Sequence, residues 1–113
     1  MIIISRKLVK FITFNFASAI AIYPFILLKS KDLLSNVYII NHEKIHLRQQ
    51  LELLILPFYL IYFIEYLIGR IGGKNHFDAY MNISFEKEAF TNEKNLNYLK
   101  ERKFFDFVKY YKN

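Results

Sequence analysis

"IINHEKIHLRQQ", residues 39–50, sets His42 and His46 four positions apart with Glu43 beside the first, in the pattern His-Glu-x-x-His. On a helix, positions i and i+4 lie one turn apart on one face, so both imidazoles can reach a single ion. Glu43 is offset by about 100° around the axis. It therefore stands beside such an ion, where a carboxylate can take a proton from water. The competing reading is two histidines that merely hydrogen-bond near a helix start. Deciding between them requires a third ligand and a scaffold that delivers it.

The remaining composition limits both. With 113 residues the chain is read as one domain, 1–113, able to bury a modest core. An apolar share of 54 % and only five Gly and Pro residues argue against disorder. There is no cysteine, so any metal must be held by imidazole and carboxylate. The net charge of +6 favours an anionic surface. Arginine is scarce and the aromatics sit in apolar runs, which argues for membrane contact and against nucleic acid.

Upstream, residues 11–28 carry no charge. They are long enough for a membrane span, yet "AIAIYPFIL" is rich in strand formers and contains Pro24, so a buried strand or hairpin competes equally. Residues 29–36 form a polar break. Ser35 or Asn36, with Asn41 as a later alternative, can cap a helix that runs on to about Ile68 with Pro57 as its one breaker. Residues 53–64 are apolar on every face, and 53–68 are a second candidate membrane-embedded segment, although Glu65 would then need a partner. Residues 69–80 hold all three glycines and read as a loop. A second helix is expected from Ser84, as its cap, to about Lys103. The aromatic tail either docks on the fold or lies on a membrane surface.

Downstream acids supply candidates for the third ligand. Glu52 and Glu65 lie too far along the first helix, and His76 sits in the glycine-rich loop. Glu86 and Glu88 open the second helix and are the strongest.

"HEKIH" followed by "FEKEAF" resembles the gluzincin metallopeptidases, which include thermolysin-like enzymes and membrane-embedded CAAX-processing and heat-shock endopeptidases. It is also similar to small bacterial proteins bearing "HE-x-IH-x-x-QQ" and "SFE-x-EA". The resemblance spans residues 37–93 and implies zinc held by His42, His46 and Glu86, with Glu43 as general base on a zinc-bound water. Ala89 matches the small residue that lets the two helices approach. Phe90 stands where the family has an Asp that orients a histidine; with Glu88 as the ligand, Asn92 would take that role. No histidine follows Glu86, so Tyr80 or Tyr98 would have to stabilise an oxyanion. The family's substrate lies along an edge strand, for which residues 21–29 are the candidate, Pro24 suiting an edge.

The expectation is thus a mainly helical α+β, minimal zincin-like domain. It has an N-terminal strand or hairpin, a long active-site helix and a second helix carrying the third ligand. Its expected function is zinc-dependent hydrolysis of peptide bonds in a peptide or protein substrate. The alternatives are a non-catalytic zinc protein, closed by His76 or Glu88, and a small membrane-associated interaction protein. A membrane-associated, even integral, location is expected ahead of a cytoplasmic one, and an oligomer or partner protein would complete the cleft. Lys44, Arg48, Gln49 and Gln50 read as a solvated helix face. Tyr59, Tyr62 and Tyr66 read as packing or interfacial anchors.

Overall fold

Three short strands, β1 (Ile2–Ile4), β2 (Ala19–Ile22) and β3 (Phe25–Leu28), form one sheet in the computed structural model, which describes residues 1–111. The order is β1-β3-β2, with β1 parallel and β2 antiparallel to β3. Helix α1 (Arg6–Thr13) connects the first two strands, and Ser5 caps it by accepting from the Leu8 amide at 3.2 Å. The uncharged run 11–28 is therefore the end of a helix followed by a hairpin, which is the strand reading of that segment. Among the described residues no single helix is long and apolar enough to cross a membrane.

The edge strand is not residues 21–29. That stretch breaks at a turn over Tyr23 and Pro24, joined by a cis peptide bond. Phe25–Leu28, three of whose residues are buried, becomes the central strand, while alanine-rich β2 takes the edge. A 3-10 turn over Lys31–Ser35 then leads to α2 (Val37–Glu52). Asn36 is its cap, accepting from the Ile39 amide at 3.2 Å. Asn41, the later alternative, instead donates to the carbonyls of Glu93 and Asn95 at 2.7 and 3.1 Å.

The expected single helix to Ile68 is two. Pro57 has no amide hydrogen to offer the turn before it, and the chain reverses at Leu54 and Ile55, both in the left-handed region. Helix α3 (Leu56–Ile71) follows, carrying Pro57 in its first turn and bent 112° from α2. The glycine-rich loop contains a short helix, α4 (His76–Met81), capped by Asn75. It lies so close to α3 that a Cβ on Gly69 would come within 3.1 Å of the Ala79 Cβ.

The second long helix also divides, into α5 (Ser84–Asn92) and α6 (Tyr98–Glu101). Asn41 draws off the carbonyls at the break. Ser84 is not the cap of α5. Its amide and hydroxyl donate to the Glu65 carboxylate at 2.7 and 2.9 Å, so Glu65 finishes that helix end from α3. This supplies the partner that a carboxylate in an apolar helix requires.

The main apolar cluster joins Phe58 of α3, Ile83, Phe85 of α5 and Phe107 from the tail. A second packs α2 on the sheet through Ile26, Leu28 and Ala19. A third sets Ala89 of α5 against Ile45 of α2, allowing the close approach expected of a small residue. The tail docks through Phe107 and Tyr110, whose hydroxyl accepts from Asn92 at 3.0 Å, while Phe104 stays exposed. The result is a mainly helical α+β arrangement in which α2 is clasped between the sheet and α5.

Candidate metal centre

The face of α2 turned towards α5 carries His42 and His46, both buried, one turn apart. Helix α5 brings Glu86 against them. Its Oε1 lies 3.1 Å from His42 Nε2 and 3.0 Å from His46 Nε2, and the two Nε2 atoms are 3.2 Å apart. All three offered atoms thus fall within 4.8 Å of one another and can hold a metal ion. A tetrahedral ion bonded at about 2.0–2.1 Å spaces its ligand atoms by about 3.3 Å, close to the spacing observed.

The outer faces of the rings decide which nitrogens are free. His42 Nδ1 lies 2.8 Å from Glu93 Oε1, an acceptor when ionised. His46 Nδ1 lies 2.7 Å from Gln49 Oε1. Gln49 cannot be turned the other way. Its Nε2 donates to the Phe85 carbonyl at 3.1 Å and to Glu88 Oε1 at 2.9 Å, both acceptors. Both Nδ1 atoms must therefore carry hydrogen. In the neutral rings this leaves both Nε2 lone pairs aimed at one point, the tautomer a metal requires.

Glu86 is oriented as well. Tyr62 donates to its Oε2 at 2.5 Å, leaving Oε1 for the histidines. Tyr80 also lies against this carboxylate, and burial together with Glu86 keeps its hydroxyl protonated. Burial opposes charging His46, but the Glu86 carboxylate and its hydrogen bond prevail and raise the ring to about 9. Glu86 is pushed down: burial alone would raise it, and the adjacent imidazoles outweigh that effect. Without a metal the group holds a proton between carboxylate and imidazole, a positive charge in the place a cation would take.

Glu43 is buried at the side of this group and lines the adjoining cleft. Burial raises its pKa, with His46 and His42 pulling it down and Glu86 and Glu93 pushing it up. That shift moves a carboxylate towards useful basicity. The opposite wall of the cleft is β2. Lys29 N–H donates to the Ser18 carbonyl at 2.8 Å, so by alternation Ser18, Ile20 and Ile22 bond to β3. Ala19 and Ala21 then present their peptide groups to the open side. The Ala21 carbonyl accepts from Gln50 Nε2 at 2.8 Å and Tyr59 at 2.7 Å, and Tyr23 N–H donates to Gln50 Oε1 at 2.7 Å. Gln50 thus closes one end of the edge and leaves Ala19 facing the cleft.

Of the other candidates, Glu88 is turned away, bound by Gln49, Tyr98 and Arg102. Arg102 also pairs with Glu52 at 2.5 and 3.0 Å. His76 bonds Tyr66 at 2.7 Å on the cleft rim and is not in the triad. Tyr98 is committed to Glu88, whereas Tyr80 lines the cleft.

Several contributors escaped the sequence reading. Gln49 and Gln50 are not solvated: they are 0 % and 1 % exposed, because β2 and α5 close over that side of α2. Of that group Lys44 is exposed and Arg48 is half-buried. Tyr59 and Tyr62 turn their hydroxyls inward to Ala21 and Glu86, and Tyr66 meets His76 on the cleft rim. Glu93 performs the orienting role that Phe90 cannot, and Phe90 instead packs edge-on to His42 with ring centroids 4.4 Å apart. The position of Glu93, seven residues or two turns beyond Glu86, was the available signal. Replacing Glu93 or Gln49 by alanine is expected to weaken metal affinity by about 10–100-fold, measured by competition with a chromogenic chelator; unchanged affinity in both would show the rings need no such support. No family model, curated protein or solved structure matches the chain.

Proposed function

We propose that the chain is a zinc-dependent peptidase of gluzincin-like design, with His42, His46 and Glu86 as ligands and Glu43 as general base. The observation that carries this reading is the convergence of two Nε2 lone pairs and one carboxylate oxygen beside a cleft that Glu43 also enters. Two imidazoles and a carboxylate, with no sulfur, suit zinc and are the ligand set of hydrolytic zinc sites. Zinc held by His42, His46 and Glu86 would supply Lewis acidity towards a scissile carbonyl and a water.

The side chains account for the remaining chemistry. Glu43 takes the proton of the water as its oxygen bonds to the carbonyl carbon, and then delivers that proton to the amide nitrogen so that the C–N bond breaks and the amine departs. Tyr80, held protonated on the cleft wall, is placed to donate to the developing oxyanion. The free Ala19 peptide group offers a short stretch of backbone pairing to an extended substrate. Gln50 limits that pairing on one side, which favours short or loosely held peptides.

A purely structural zinc site would call for a fourth side-chain ligand. The two expected for it, His76 and Glu88, are engaged elsewhere, which favours the catalytic alternative.

The test is metal analysis followed by digestion of a peptide mixture. One equivalent of zinc, cleavage abolished by a chelator and restored by zinc is the expected result. A protein that binds no divalent metal at the triad would end this reading.

A further inference from the structure

The outward side of α3 has the reverse of ordinary surface patterning. Of its polar groups, Tyr59, Tyr62 and Glu65 bond inward and Tyr66 bonds His76 at the cleft rim, leaving Arg70 at the C-terminal end as the exposed charge. Its exposed positions include Leu60, Phe63, Ile64, Leu67, Ile68 and Ile71, Leu60 at 62 % and Ile71 at 85 %. A water-facing helix normally carries polar residues there. The turn before it holds Leu54 at 80 % exposure on a left-handed backbone, extending the patch beyond the helix end. Such a contiguous apolar surface marks an interaction site.

Charge indicates what covers it. The first acidic residue in the chain is Asp32, so residues 1–31 carry Arg6, Lys7, Lys10, Lys29 and Lys31 unopposed. On α1, Arg6, Lys7 and Lys10 are exposed among Leu8 and Phe11, with Phe14 exposed just past the helix end and Phe11 at 80 %. Arg70 and Lys74 are exposed at the far end of α3. Helices α1 and α3 also contribute to the walls of one cleft, through Ile12 and Thr13 on one side and Tyr59 and Tyr62 on the other. A 16-residue helix is about 24 Å long, short of a hydrocarbon core of about 30 Å.

We propose that α3 and α1 dock the protein in the plane of an anionic bilayer surface, with the apolar side chains in the acyl boundary and the cations at the headgroups. A second copy is the less suitable occupant, because two chains of net charge +6 repel where anionic lipid attracts. The proposal stands apart from the hydrolytic reading and is tested without any activity.

The full chain is sedimented with vesicles of phosphatidylcholine, with and without phosphatidylglycerol. Binding is expected to be at least about tenfold stronger to the anionic vesicles and to weaken with salt. Arg6→Glu with Lys7→Glu is expected to remove that preference, and Leu60→Gln with Phe63→Gln and Ile68→Gln to abolish binding with metal content unchanged. The chain contains no tryptophan, so Phe63→Trp alone provides a reporter. Quenching of that tryptophan by brominated acyl chains supports insertion even if the triple variant does not fold. No partition into either vesicle, an unquenched reporter on bound protein, or a concentration-dependent dimer that Leu60→Gln dissolves would each overturn the proposal, the last by making this face a self-interface.

Discussion

Glu43→Gln is expected to reduce peptide hydrolysis by about 10²–10⁴-fold, the usual contribution of a positioned general base, while metal affinity stays within about threefold. Glutamine keeps the shape of the side chain but cannot accept the proton of an attacking water. It does not touch the ligand set, since His42, His46 and Glu86 are held by Glu93, Gln49 and Tyr62. The two readouts therefore separate. Turnover is followed with a quenched fluorescent peptide, and affinity by competition with a chelator. Full activity in the variant would remove Glu43 from the mechanism. A parallel loss of metal would make it a structural contributor to the site.

The second large effect concerns stability. Arg102, with a fully buried side chain, binds Glu88 and Glu52, themselves buried, and thereby ties the C-terminal segment to both α2 and α5. Burial disfavours its charge, but the two carboxylates hold it protonated. Arg102→Leu would strand two carboxylates in the interior and is expected to cost about 3–5 kcal/mol. Adding Glu88→Gln and Glu52→Gln removes those stranded charges and is expected to recover a large part of the loss. Urea unfolding of the three proteins measures both. Equal stability of Arg102→Leu and the parent would show that the cluster is not a keystone of the fold. The same network reaches the metal group, because Glu88 fixes Gln49, which fixes His46. Arg102→Leu is accordingly expected to weaken metal binding as well.

Much of this design is visible in local pattern. Helical spacing alone makes His42 and His46 neighbours, and the absence of cysteine restricts any metal to nitrogen and oxygen ligands. The strand formers around Pro24 admit a strand or hairpin alongside a span, and Pro57 is the one helix breaker before Ile68. These features depend on residues a few positions apart, where backbone geometry allows few alternatives.

The choice between Glu86 and Glu88 is of another kind. Two positions on a helix differ by about 200° in direction, and nothing within α5 says which side meets α2. That rotation is set by contacts from three other segments: Glu65 and Tyr62 of α3 on Ser84 and Glu86, Ile45 of α2 against Ala89, and Tyr98 with Arg102 on Glu88. Gln49 and Gln50 likewise look like solvent-facing residues until β2 and α5 close over them. What the linear order determined is which side chains share a helical turn and where turns must break. What tertiary structure decided is which polar groups are buried together, because the cost of burying each is met only by a partner from a distant part of the chain.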